Sequence, residues 1–394
     1  MGKKINKLLF DTIVITIISF FSLELLMQFL LRTRILELHG VLKHQNISKK
    51  EFNNYLRLRD KDLGWPSKLA HGQLFNEFGY RPTPEGLKYN NEDACIAVFG
   101  DSQGYGLDVS DTDAWTNILS KRLGCKVENY SVPAYGTDQA YLRFKKVKPK
   151  ANTIIMTFID LNLRRNFIQF WDLAYGEIYL DRTKPRFILD ESQNLKFVPL
   201  PVNTWQDIED INTWSFEKVF KNEIFKPNSK VYKTADKLPR FSYVVSLTHS
   251  ILRYYITKLN EQKNISNPLL VNFIDKRKIF DVTSKKSIDL QKEILKEYIK
   301  TCSTNYKNCL ILRLSMNFQE PWNENIHLIP TSLENTPLLK KHFIKGDYMA
   351  KCMHENLIEQ GLPKSNLDKR APGGHYAEET NKAIANCLYE KLPK

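Results

Sequence analysis

Residues Ala94–Gly106 read ACIAVFGDSQGYG. Ile96, Ala97, Val98 and Phe99 form a short apolar run that stops at Gly100, the pattern of a strand buried on both faces of a parallel sheet. Asp101 and Ser102 follow at once. A serine at the carboxyl end of a central strand stands where ligands bind in open α/β sheets. Gly104 and Gly106 let the chain turn sharply beside that serine and let a substrate come close.

Toward the C-terminus the pattern continues. Asp111 and Thr112 are placed to cap a helix over Asp113–Leu123, with Trp115, Ile118, Leu119 and Leu123 on one face and Gly124 as its stop. Cys125–Tyr130 reads as a short strand and Gln139–Val147 as a helix. Thr153–Ile159, rich in Ile, Thr and Phe, reads as a third strand. The order β-α-β-α-β predicts an α/β fold, a three-layer α/β/α sandwich around a central parallel sheet. The rhythm breaks at about residues 166–285, an aromatic-rich insertion or lid of the kind that carries substrate selectivity. Within it, FILDESQNLKFVPL predicts a hairpin and Tyr243–Leu259 a helix. The βα rhythm resumes with a helix over Ile288–Thr301, a strand over Leu310–Leu314, and helices near Leu339–Gln360 and Ala377–Leu392.

Toward the N-terminus, LGWPSKL and FNEFGYRPTPEG carry Gly and Pro at turn positions, and the folded body is expected to span residues 62–394. Residues 32–61 read as a polar, partly helical stalk. Before them, residues 8–31 contain TIVITIISFFSLELLMQFLL, long enough to cross a bilayer as a helix. Glu24 within it is costly against lipid and calls for a helix partner, a tilt or a place near the interface. The stretch is too long for an ordinary signal-peptide core and has no A-x-A site, the first alanine of the chain being Ala70. One uncleaved N-terminal transmembrane helix is therefore expected, with residues 1–7 as a cytoplasmic stub. Lys3, Lys4 and Lys7 favour the N-terminus inside, and Arg32, Arg34 and Lys43 beyond the span partly cancel that bias.

The 394 residues are 42% hydrophobic and 26% charged, a globular composition. The net charge of +14 favours anionic partners such as lipid headgroups or acidic glycans. No zinc knuckle, RNP-like string or basic helix with interleaved aromatics accompanies it, so no nucleic-acid partner is expected. The six cysteines form no CxxC pair and no Cys/His cluster, so neither metal nor cofactor is expected. Their even count permits disulfides without showing them, and Cys95 reads as a small core residue.

Ser102 is the candidate nucleophile. Its hydroxyl is weak until a base takes the proton, and histidine is the usual base. Of eight histidines, His375 is best placed, after Pro372-Gly373-Gly374 and directly before a predicted helix. Taken in order, FGDSQGYGLDVSDTDAWTNIL, VENYSVPAYGTDQ, TIIMTFIDLNLRRN and APGGHYAEETNKAIA resemble the SGNH (GDSL-like) hydrolases. The resemblance is closest to the membrane-anchored branch that carries GDSxxxG and GYGTDQ, which also has a segment like FNEFGYRPTPEG ahead of the GDS strand. It covers roughly residues 63–170 and 368–392; the middle of the chain matches only loosely.

That resemblance implies a body outside the cytoplasm, at the periplasm or cell surface. It also implies an oxyanion hole of three donors: the N–H of the serine, the N–H of a second-block glycine and a third-block asparagine. Here these fall on Ser102, on Ala134 in the glycine's place with Gly136 as the alternative, and on Asn162. Asp160 is the alternative third-block residue, but a carboxylate donates no hydrogen bond unless protonated. Family members usually carry an aspartate three residues before the histidine, a position held here by Pro372. Asp368 or a backbone carbonyl is left to orient His375, while Asp101 is expected to brace the turn. The implied function is ester hydrolysis through an acyl-enzyme, on an acylated envelope glycan or lipid. The alternatives are O-acyl transfer to a polysaccharide, alongside envelope polysaccharide machinery, and a non-enzymatic binding module on a degenerate scaffold, suggested by Pro372 and Ala134.

Overall fold

The computed structural model describes residues 2–32, 48–67, 74–87, 89, 93–170, 183–212, 285–314, 333–362 and 374–392. The predicted helix at Tyr243–Leu259, most of the 166–285 insertion and Asp368 lie outside them. The chain divides into two compact units.

In the first unit (Met1–Ile47, Phe170–Leu180 and Asp210–Phe280) the N-terminal stretch forms one helix, α1, at Gly2–Arg32. The side chains described in it are those of residues 10–26. Phe10, Ile13, Ile15, Ile18, Phe21 and Leu25 are exposed, whereas Glu24 is buried. A helix forms over the stretch expected to span a membrane, residues 8–31, but among the described residues no helix is long and apolar enough to cross one, so the expected transmembrane helix is not found.

The second unit contains helix α2 at Lys49–Leu58, opened by a capping box between Ser48 and Glu51. A short antiparallel ribbon follows, β1 (Arg59–Asp60) with β2 (Gly64–Ser67). The main sheet has five parallel strands: β3 (Ala94–Phe99), β4 (Val127–Asn129), β5 (Ala151–Phe158), β8 (Asn308–Arg313) and β9 (Phe343–Ile344). Their spatial order is β4-β3-β5-β8-β9. The chain steps outward from β3 to β4, then crosses back to β5, so the order reverses between β3 and β5. Ligands bind at such a switch point, beyond the carboxyl ends of the strands.

Alternation along β3 splits the core in two. Ile96 and Val98 join Trp115 and Leu119 of α4 (Trp115–Leu123), Met349 and Met353 of α9 (Gly346–Glu359), and Ile384 and Leu388 of α10 (Glu378–Lys391). On the opposite face Phe99 stacks on Tyr130 and meets Phe144 of α5 (Thr137–Val147), which in turn meets Tyr298 of α8 (Lys285–Asn305). Helices thus cover both faces, as a parallel sheet requires. The predicted hairpin forms as β6 (Arg186–Leu189) with β7 (Leu195–Val198).

Several expectations need correction. Asp111 and Thr112 do not cap α4. Its N-cap is Ala114, which offers no side-chain bond, and the Trp115 N–H is taken instead by Asn381 Oδ1 at 3.2 Å, from α10. The predicted Leu339–Gln360 helix begins only at Gly346, because Phe343 and Ile344 pair with Ile311 and Leu312 as the sheet edge. Cys95 is not a free core residue but bonds Cys125; Cys302–Cys309 and Cys352–Cys387 are the other disulfides.

Candidate active site

Strand β3 ends at Phe99 and the chain turns through Gly100 and Asp101 into one helical turn, α3, at Ser102–Tyr105. A Cβ on Gly100 or Gly104 would lie 1.8 or 2.2 Å from Thr157 Oγ1 of β5, so only glycine fits against β5 at either position. Asp101 is fully buried and caps the turn, its Oδ1 accepting from Gln103 N at 2.9 Å and Gly104 N at 3.3 Å. It braces the turn, as its place beside the serine suggested. Burial pushes its carboxyl above the usual aspartate range; Arg165 and the Gly104 and Gln103 N–H groups pull the other way without prevailing. Ser102 is 5% exposed, at the sheet's carboxyl edge.

The third block leaves β5 at the neighbouring position. Asn162 lies in the short helix α6 (Leu161–Arg165) and is fully buried. Its Oδ1 accepts from Arg165 Nη1 at 3.1 Å. The same nitrogen stands 3.2 Å from the Tyr135 carbonyl and 3.4 Å from Asp101 Oδ2. The Asn162 side chain also lies against the Asp101 carboxyl and helps to hold its pKa down, against the larger effect of burial. Asp160 is committed elsewhere: Arg313 Nε and Nη2 reach its two oxygens at 3.1 and 3.2 Å.

The second block follows β4, on the other side of β3, and its Tyr135 carbonyl faces the same Arg165 nitrogen. Ala134 has φ 72°, the left-handed region that favours glycine. Gly136, at φ −81°, is the N-cap of α5, and a Cβ there would meet Asp138 Oδ1 at 2.4 Å. The Asp138 and Gln139 side chains that follow are held in the interior. Asp138 is buried against Lys184 Nζ, and Gln139 Nε2 donates to the Leu63 carbonyl at 2.9 Å. Burial raises the Asp138 carboxyl, with Lys184 opposing it.

His375 is brought to the same edge from far along the chain. The Tyr376 N–H reaches Gln103 Oε1 at 3.4 Å, and the Tyr376 hydroxyl donates to the Leu314 carbonyl just beyond β8. The acid beside the ring is Asp108, a residue that sequence reasoning missed. His375 Nδ1 lies 2.6 Å from Asp108 Oδ2, with the two side chains 22% and 25% exposed. An ionised carboxylate only accepts, so Nδ1 carries the hydrogen and Nε2 is left as the basic nitrogen. No hydrogen bond joins Ser102 to the ring among the described residues; unliganded sites commonly close that bond only with substrate bound. Asp108 has φ 71°, and an aspartate tolerates this conformation better than most side chains. Its one sequence signal was an acid directly after Gly106-Leu107, where the chain must still be turning.

No protein-family model matches the chain, and no curated protein matches it.

Proposed function

We propose that this chain is a serine-nucleophile ester hydrolase of the SGNH type. The observation that carries the reading is the Asp108–His375 pair at 2.6 Å, on a loop bonded to the residue beside Ser102. Asp108 answers the objection raised by Pro372: the loop after the nucleophile supplies the acid, so no residue just ahead of the histidine is required. In the proposed reaction His375 Nε2 takes the Ser102 proton as Oγ attacks the ester carbonyl. The ring then passes that proton to the leaving alkoxide, and water resolves the acyl-enzyme by the same relay. The oxyanion sits against the Ser102 N–H, the Asn162 Nδ2 donor and the N–H of Ala134 or Gly136. Asn162 fits that duty as a fully buried neutral amide, whose NH2 can donate to an oxyanion.

The substrate proposed is an acyl ester of an envelope glycan or lipid, met outside the cytoplasm by a body tethered through α1. Three disulfides support an oxidising compartment; the exposed apolar side chains of α1 favour contact with an apolar surface, although α1 does not meet the length and apolarity of a membrane span. The test is a fluorophosphonate probe applied to the full chain in washed membranes. Labelling that maps to Ser102 and disappears in His375→Ala is expected. An unlabelled wild-type chain without turnover of model esters overturns the reading, and recovery of the chain in the soluble fraction after carbonate washing overturns the tether.

A further inference from the structure

Arg81 lies in the FNEFGYRPTPEG segment, ahead of the GDS strand and outside every role described so far. Its side chain is 3% exposed, and it spends almost all its donors on one loop. Nη1 donates to the Tyr105 carbonyl at 2.9 Å and to the Gly106 carbonyl at 2.7 Å. Nη2 donates to the Val109 carbonyl at 2.8 Å, and Nε stands 2.9 Å from Asp111 Oδ1 as an ion pair. The guanidinium also lies over the Tyr105 ring, 4.4 Å from its centre. Arg81 is itself held: its N–H donates to the Asn129 carbonyl at 2.9 Å, at the end of β4.

The gripped loop contains Asp108. Both Gly106 (φ 73°) and Asp108 (φ 71°) are left-handed, a conformation that costs any residue with a Cβ more than it costs glycine. Such a residue persists only where its surroundings over-determine it. The carbonyls on either side of Asp108, at Gly106 and Val109, are the ones Arg81 fixes.

We propose that Arg81 is a positioning residue that fixes the Gly106–Asp111 loop to the end of β4, so that Asp108 meets His375 Nδ1. This rests on the esterase reading for its catalytic consequence, but not for its geometry. The FNEFGYRPTPEG segment thereby acts on the catalytic acid through the backbone of the loop rather than by touching substrate.

Two measurements separate this inference from the esterase reading. The first ignores turnover. The Nδ1 proton shared with Asp108 is expected as a far-downfield proton NMR resonance that Asp108→Asn removes. Arg81→Met should remove or broaden it while disulfides and far-ultraviolet circular dichroism stay native. Its persistence unchanged in folded Arg81→Met overturns the inference, whatever the protein hydrolyses. The second uses p-nitrophenyl acetate. Arg81→Met should lower kcat by about a hundredfold, the cost of a misplacement of about 1 Å, with KM little changed. In an Asp108→Asn background the same change should cost less than about threefold, because the two act as a unit. Equal losses in both backgrounds mean a merely structural arginine and overturn the inference; an inert wild type overturns the esterase reading instead. If Arg81→Met does not fold, Asp111→Asn at the exposed end of the clamp is the second variant. It should broaden the resonance partly, and an unaltered resonance there counts against the proposal.

Discussion

The two halves of the candidate site are built in opposite ways. On the proposed oxyanion side Asp101, Asn162 and Arg165 are all buried, and one guanidinium nitrogen stands against parts of all three blocks. On the acid–base side Asp108 and His375 are about a quarter exposed, on loops, and meet through a single contact. Stabilising a developing charge needs donors that do not reorganise, which burial and mutual bonding supply. A base that must take up and release a proton gains from contact with solvent, and its acid needs only to fix the ring. The proposed oxyanion side is thus held by the core of the sheet, and the proposed acid–base side by the loop that Arg81 clamps.

The sharpest way to break this contrast is to remove the exposed pair. Ser102→Ala and His375→Ala should each abolish most turnover, and the double variant should be little worse than either alone. Asp108→Asn should cost on the order of ten-thousandfold in kcat, the scale seen when a triad acid no longer fixes the tautomer. Asp368→Asn should do little. Steady-state kinetics on a model ester check all four; a damaging Asp368→Asn beside a silent Asp108→Asn would reverse the assignment of the acid.

The buried side breaks differently. Asn162→Ala should lower kcat by about a hundredfold or more with KM nearly unchanged, since removing one oxyanion donor costs that much. Asp160→Ala should instead act on stability. It strands Arg313, which is only 6% exposed, and losing one member of a buried pair costs about 3–5 kcal/mol. Denaturant midpoints read beside kcat separate the two, and a fall in kcat from Asp160→Ala without a fall in midpoint would exchange their roles.

How much of this was legible beforehand follows the same divide. The strands, the hairpin and the Ser102 turn were readable because periodicity and glycine placement are local. Asn162 was chosen over Asp160 from donor chemistry, which is local; the Arg313 partner of Asp160, 153 positions away, was not readable. What could not be read was whatever arises from distant segments meeting. Asn381 caps a helix across 266 positions of chain, and Asp108 pairs with His375 across 267. Three disulfides were invisible because an even count says nothing about which cysteines meet. The Phe343–Ile344 strand was missed because an apolar run is ambiguous between helix and sheet edge until a partner strand is in view.

A smaller effect tests how dry the Asp101 environment is. Its carboxyl is raised by burial, so between the ordinary aspartate pKa and the raised value the native state keeps a proton that the unfolded chain has lost. Native protein then binds more protons than unfolded, and the contribution of Asp101 to stability falls as pH rises through that window. Asn can still accept the Gln103 and Gly104 N–H bonds but does not titrate. The stability difference between wild type and Asp101→Asn should therefore shift in favour of the variant as pH rises from about 4. Urea unfolding across that range checks it, and a difference of opposite slope means that Arg165 outweighs burial.

The smallest expected effect concerns Ala134, the second-block residue of the proposed oxyanion side. At φ 72° its Cβ crowds the following carbonyl, a strain of about 1–2 kcal/mol that glycine does not have. Glycine gives part of this back, because its unfolded chain is freer by roughly 0.5–1 kcal/mol. Ala134→Gly should therefore stabilise the protein by about 1 kcal/mol or less. It keeps the backbone N–H, so kcat should not change whether that N–H or the one at Gly136 completes the oxyanion hole. Ala134→Val goes the other way, since a β-branched side chain at positive φ is a genuine outlier; it should lower stability, and kcat as well if the Ala134 N–H is a donor. Thermal unfolding and ester kinetics on the two variants decide between the donors. Loss of kcat in Ala134→Val points to Ala134, unchanged kcat despite lost stability points to Gly136, and destabilisation by Ala134→Gly contradicts the left-handed turn itself.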